Sequence, residues 1–202
     1  MNFLAHLHLA DPDPGLMLGG IVADFIRNPE VGALPKRVQD GVQLHRLIDG
    51  FTDRHPLVHR SVSPIGEKMG WFAGIVIDIY YDHVLARTWA TYSTEPLRLF
   101  ASRCYNILAS QSTIVPSDAQ RFLQRFIERD HIGQYLTVDG IAITLARVSA
   151  SLAKRIPRRA IWLPDALPLL VAADSQIAAD FAGFYPELIA FVAEQRLGIK
   201  AH

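Results

Sequence analysis

One cysteine, Cys104, stands among the 202 residues, so the chain can neither close an internal disulfide nor gather a thiolate cluster around a structural zinc. Its neighbours Phe100, Ala101, Ile107 and Leu108 mark a buried, inert thiol, and a reducing compartment, the cytoplasm, is the expected location. No apolar run is long enough to span a bilayer. The N-terminus lacks a basic start and is interrupted by Asn2, His6 and His8, which argues against a secretory signal. Charge of one sign is also lacking, because 20 Lys and Arg balance 20 Asp and Glu; nothing in that balance calls for a nucleic acid or membrane partner. Repeats, low-complexity stretches and long polar linkers are missing too, so one domain over residues 1–202 is expected.

What is present is an apolar chain, 50% hydrophobic and 20% charged, with the composition of a packed globular protein. Helix punctuation recurs along it. Pro35 opens a segment whose apolar positions Val38, Val42, Leu44 and Ile48 run towards Pro56, the framing of a long helix. Leu16 to Phe25 reads as a buried helix with Asp11 and Asp13 as cap candidates, closed before Pro29. Trp71 to Thr91 is rich in β-formers, and its pattern admits a buried strand; its length and the stretch Val84-Leu85-Ala86-Arg87 favour helix. Further helices are expected from Glu95 to Ser110, Ser117 to Arg129 and Val138 to Lys154, with Ser117 and Gln120 in capping-box relation. Asp165 to Leu197 carries Pro186 near its middle, which predicts a break at Tyr185. The fold class is therefore all-α, a single-domain helical bundle.

Asp and His fall at informative spacings on these helices. His45, Asp49 and Asp53 stand at i, i+4 and i+8, one stripe beside Leu44, Ile48 and Phe51, which turns it inward. Asp78 and Asp82 repeat the i, i+4 spacing in the most apolar part of the chain, with His83 following. Asp24 lies among Ile21, Val22, Phe25 and Ile26, where an ionised carboxylate needs a cation or strong donor. Each group taken alone also fits a solvated helix face or a pair with an arginine such as Arg87. Together they fit a site for Mn²⁺, Fe²⁺, Zn²⁺ or Mg²⁺, because imidazole and carboxylate suit such ions. Arg46, beside His45, is a planar donor suited to a phosphate. His55, His59 and His131 have no such company and read as surface residues. From Thr144 to Ala160 the chain carries Arg147, Lys154, Arg155, Arg158 and Arg159 without an acid. That is either a patch for an acidic macromolecule or a solvated face.

These residues resemble a known family, the acyl carrier protein phosphodiesterases. The resemblance begins with Met1-Asn2-Phe3-Leu4-Ala5-His6-Leu7-His8-Leu9-Ala10 and continues through Ala23-Asp24-Phe25. It is most specific at His45-Arg46-Leu47-Ile48-Asp49 with Thr52-Asp53, then includes Asp78 and Asp82-His83, and reaches Arg155, Pro157, Arg158 and the turn Phe184-Tyr185-Pro186 more weakly. It implies a divergent, HD-domain-like helical phosphohydrolase that uses a divalent metal, foremost Mn²⁺ with Mg²⁺ or Fe²⁺ as alternatives. The implied reaction removes 4′-phosphopantetheine from acyl carrier protein. The adjacent His-Asp signature of the wider superfamily is absent, so the site is assigned on this chain's own clusters. His6, Asp24, His45, Asp49, Asp82 and His83 are the expected metal ligands. Arg46 is the expected phosphate holder, and Asp53 and Asp78 are carboxylates that orient imidazoles or take a proton from water. Arg147, Lys154, Arg155, Arg158 and Arg159 would meet the acidic carrier. A nucleotide or small-molecule phosphohydrolase, and a carrier-binding module without chemistry, are the alternatives.

Overall fold

A computed structural model describes residues 1–156 and 161–200, and among them every regular element is helical. The helices are α1 (Phe3–Ala10), α2 (Pro14–Val22), α3 (Asn28–Val31), α4 (Lys36–Thr52), α5 (Pro56–Met69), α6 (Ala73–Arg87), α7 (Leu97–Gln111), α8 (Ser117–Glu128), α9 (His131–Gln134), α10 (Val138–Arg155), α11 (Leu167–Ala172) and α12 (Asp174–Lys200). None is long and apolar enough to cross a membrane, among the described residues.

The β-forming stretch is helix α6, and its surroundings explain why. Helices α1, α5, α10 and α12 all pack against it, burying Val76, Ile77, Ile79, Tyr80, Tyr81, Val84 and Leu85. A helix covered on nearly every side needs apolar residues all round, so its sequence loses the amphipathic period. The buried apolar residues form one cluster running from Met1 to Val192.

Helices α2 and α4 cross closely, because two glycines face each other. A Cβ on Gly19 would meet the Val38 carbonyl at 2.2 Å, and one on Gly41 would meet the Leu16 carbonyl at 2.6 Å. At its start α2 is capped as expected, with Asp13 accepting from the Leu16 amide and Arg37 bonding the other Asp13 oxygen. The helix ends at Val22, and Ala23–Phe25 form a 3₁₀ turn.

Two sequence expectations are corrected. Helix α12 runs unbroken through Pro186, so Phe184-Tyr185-Pro186 is not a turn. Phe181, Phe184, Tyr185 and Leu188 are buried on its inner face while Ala182 and Pro186 are exposed. The carbonyl that Pro186 leaves without its helical donor thus belongs to an exposed residue, and burial of the inner face outweighs the loss. Pro64 inside α5 has the same problem and another answer: the freed Arg60 carbonyl accepts from Gln176 of α12. The second correction concerns α8. Its cap is Pro116, Ser117 lies within the helix, and Gln120 donates to the Val115 carbonyl.

Candidate functional site

Helix α1 brings His6 to the site and is itself held from its open end. Asn2 caps the Phe3 amide, while the Leu4 and Ala5 amides donate to Asp82 at 2.7 and 3.2 Å. The wholly buried Asp82 carboxylate thus sits at the positive end of α1, where an anion is favoured. Burial still pushes its pKa up to about 7.

His6 and His45 stack with ring centroids 4.1 Å apart, and both aim Nε2 at one carboxylate. Asp49 lies 3.2 Å from His6 through Oδ1 and 3.0 Å from His45 through Oδ2. One ligand atom from each of the three lies within 4.8 Å of the others. The His45 ring is fixed by its far nitrogen, since Nδ1 lies 2.8 Å from the Gly20 carbonyl. A carbonyl only accepts, so Nδ1 carries a proton, and Nε2 is the nitrogen that could give an electron pair to a metal once a cation displaced its own proton.

Electrostatics set the two rings apart. Burial, and then the nearby His45, lower the His6 pKa to about 4. Burial also opposes charge on His45, but the hydrogen bonds of Asp24 and Asp49 outweigh it and raise that pKa to about 9. Burial pushes the Asp49 carboxyl up, yet His45 and His6 hold it far below the usual carboxylate range. The Nδ1 atom of His6 is buried without a hydrogen-bond partner. The donor set of two imidazoles and a carboxylate fits a divalent cation, which would take the electron pairs that protons and like neighbours now contest.

The sequence-predicted residues distribute unevenly around this cluster. Asp24 reaches it, 3.5 Å from His45 Nε2, but from an exposed position on the rim, because the 3₁₀ turn rotates it outward. Asp78 lies alongside, 3.0 Å from the Met1 amine, which also lies 3.4 Å from Asp49; burial first, against the pull of that amine, raises the Asp78 pKa. Asp53 is the exposed residue that ends α4. Arg46 is exposed and donates to Asn28 Oδ1 at 2.6 Å. Asp82 and His83 lie outside the cluster. Consecutive helical residues diverge by about 100°; Asp82 faces the α1 amides, and His83 bonds the Tyr135 carbonyl at 2.6 Å.

Arg87 pairs with neither Asp78 nor Asp82, since both its terminal nitrogens hold Asp174. Of the cationic residues, Arg147 is half-buried and donates to Gln134 Oε1 at 2.6 Å, while Lys154 and Arg155 are exposed. Arg158 and Arg159 lie outside the described residues. His55 is not a plain surface residue: it caps α5, faces Glu187 and packs on Phe184. His131 packs on Phe126. Sequence reasoning missed the Gly20 carbonyl and Asn28 as orienting partners. The Gly19-Gly20 pair, a sign of close helix approach, was the available signal for the first.

An all-helical protein with a buried histidine–carboxylate centre between α1 and α4 is the class that fold and site define. The acyl carrier protein phosphodiesterase family model matches residues 1–188. Acyl carrier protein phosphodiesterases of Enterobacter sp. (strain 638) and Salmonella agona (strain SL483) are each 32% identical over 206 residues, covering 98% of this chain and 100% of theirs. The chain belongs to the acyl carrier protein phosphodiesterase family, a family of enzymes. No solved structure matches it.

Proposed function

We propose that this chain hydrolyses the phosphodiester joining 4′-phosphopantetheine to a serine of acyl carrier protein, releasing the apo carrier and 4′-phosphopantetheine. The observation that carries the reading is the convergence of His6 and His45 Nε2 on Asp49, in a chain whose full-length relatives bear that enzyme's name. His6, His45 and Asp49, with Asp24 at the rim, are the residues that would hold a divalent ion, Mn²⁺ first, with Mg²⁺ or Fe²⁺ as alternatives. When bound, such an ion supplies Lewis-acid withdrawal of charge from the phosphoryl group and eases deprotonation of water.

The chain's own groups do the rest. Gly20 keeps the His45 ring oriented through Nδ1. Arg46, preset by Asn28, offers planar donors to a non-bridging phosphate oxygen. Asp78, beside Asp49 at the inner wall, accepts the proton of the attacking water, and Asp53 adds negative charge near it. The cations of α10, Arg147, Lys154 and Arg155, draw in the acidic carrier, with Arg158 and Arg159 following in sequence.

The test is to incubate metal-stripped protein with holo acyl carrier protein, with and without Mn²⁺, and to follow the carrier's mass. Loss of the phosphopantetheine mass only with metal is the expected result. An intact carrier, with nucleotides or small phosphodiesters cleaved instead, would replace the substrate. Tight carrier binding with no cleavage of any ester would make the chain a binding module.

A further inference from the structure

A groove of about 250 Å³ lies between α3 and α4, lined at one end by Arg46, three residues before Asp49. Lys36, Gln39, Gln43 and Arg46 line it in a row, with Val31 and Val42 as apolar wall. We propose that this groove receives the pantetheine arm of the substrate, with the phosphate at its Arg46 end and the thiol end towards Lys36. The inference rests on the function proposed above and assigns the residues that read the arm.

Spacing supports it first. Positions 36, 39, 43 and 46 advance by three, four and three, which places them on one face of α4, and the next step of three is Asp49 in the site. The row therefore ends at Arg46, about one helical turn before Asp49. Ten residues of helix separate Lys36 from Arg46, about 15 Å along the axis. The arm's main chain from phosphate to sulfur has the atoms of about four extended residues, roughly 14 Å. The two lengths agree.

Chemistry supports it second. The arm carries two amides, two geminal methyls and a hydroxyl. The Gln43 side chain is exposed and hydrogen-bonds to no other described residue, so both ends of its amide are available to a ligand amide. Gln39 spends its amide nitrogen on the Leu34 carbonyl at 2.7 Å, which fixes its side chain and leaves its oxygen as an acceptor. Val31 and Val42 suit the methyls. Asp40, buried against Lys36 and Arg37, is neutralised by them and does not repel an anionic ligand.

The experiment uses the full chain, free pantetheine and holo acyl carrier protein. Calorimetry is expected to show pantetheine binding to the parent protein and not to Gln43→Trp, an exposed substitution that fills the groove. In turnover, Gln43→Trp should raise KM for the holo carrier at least tenfold with kcat changed less than twofold, and Gln43→Ala should raise KM less. Absence of pantetheine binding, or KM unchanged in Gln43→Trp while the carrier is cleaved, overturns the groove assignment and leaves the reaction standing. If pantetheine binds and Gln43→Trp abolishes it, but the carrier is never cleaved, the proposed reaction falls and the groove remains a pantetheine site.

Discussion

Asp82 shows how a single side chain can anchor the helix that carries a candidate site residue. Its two oxygens take the Leu4 and Ala5 amides, and α1 carries His6. Asp82→Ala would leave those donors buried without acceptors, at about 1–3 kcal/mol each; a loss of roughly 3 kcal/mol in urea denaturation is expected. Asp82→Asn, which keeps one acceptor, should lose less. A loss under about 1 kcal/mol in the alanine variant would refute the anchoring role. At this scale the sequence was legible where spacing alone decides facing: His45 and Asp49, one turn apart, do share a centre. Adjacency did not bring Asp82 and His83 together, since the helix turns one to the α1 amides and the other to the Tyr135 carbonyl. Asp24 looked buried because its neighbours are apolar, and a 3₁₀ turn that composition does not signal put it outside.

Between elements, the glycine crossing of α2 and α4 is the feature that sets the site's dimensions, since Gly20 beside it orients His45. Gly41→Ala would drive a methyl into Leu16 and Gly19, and overpacking of this kind costs about 1–3 kcal/mol. We expect a lower melting temperature by calorimetry. Gly74→Ala, in α6 with nothing within 4 Å of the added methyl, should instead stabilise by about 0.5–1 kcal/mol. Equal effects of the two would show that the crossing is not tight. Most helices were readable from prolines and caps, as at Pro35 and Asp13. The unbroken α12 was not, because the cost of Pro186 is local while the gain from burying Phe181, Phe184, Tyr185 and Leu188 is visible only in three dimensions.

For the whole molecule, net neutrality hides an uneven surface. Lys154 and Arg155 stand exposed at the end of α10, a helix that packs on α6, the element carrying Asp78. Reversing both to Glu should raise KM for the carrier several-fold with kcat nearly constant, and should flatten the dependence of KM on ionic strength. A fall in kcat with unchanged KM would show that these cations do not guide the carrier.

The bond from Leu4 to Asp82 spans 78 positions, and this has a consequence for the order in which the enzyme is made. At ribosomal rates of about 5–20 residues per second, roughly 4–16 s separate the appearance of α1 from that of its anchor. A nascent chain therefore carries His6, and then His45 on α4 packed against α2, before Asp82 is there to take the amides at the start of α1. A translation product truncated before α6 would hold His6, His45 and Asp49 and lack the carboxylate that anchors α1.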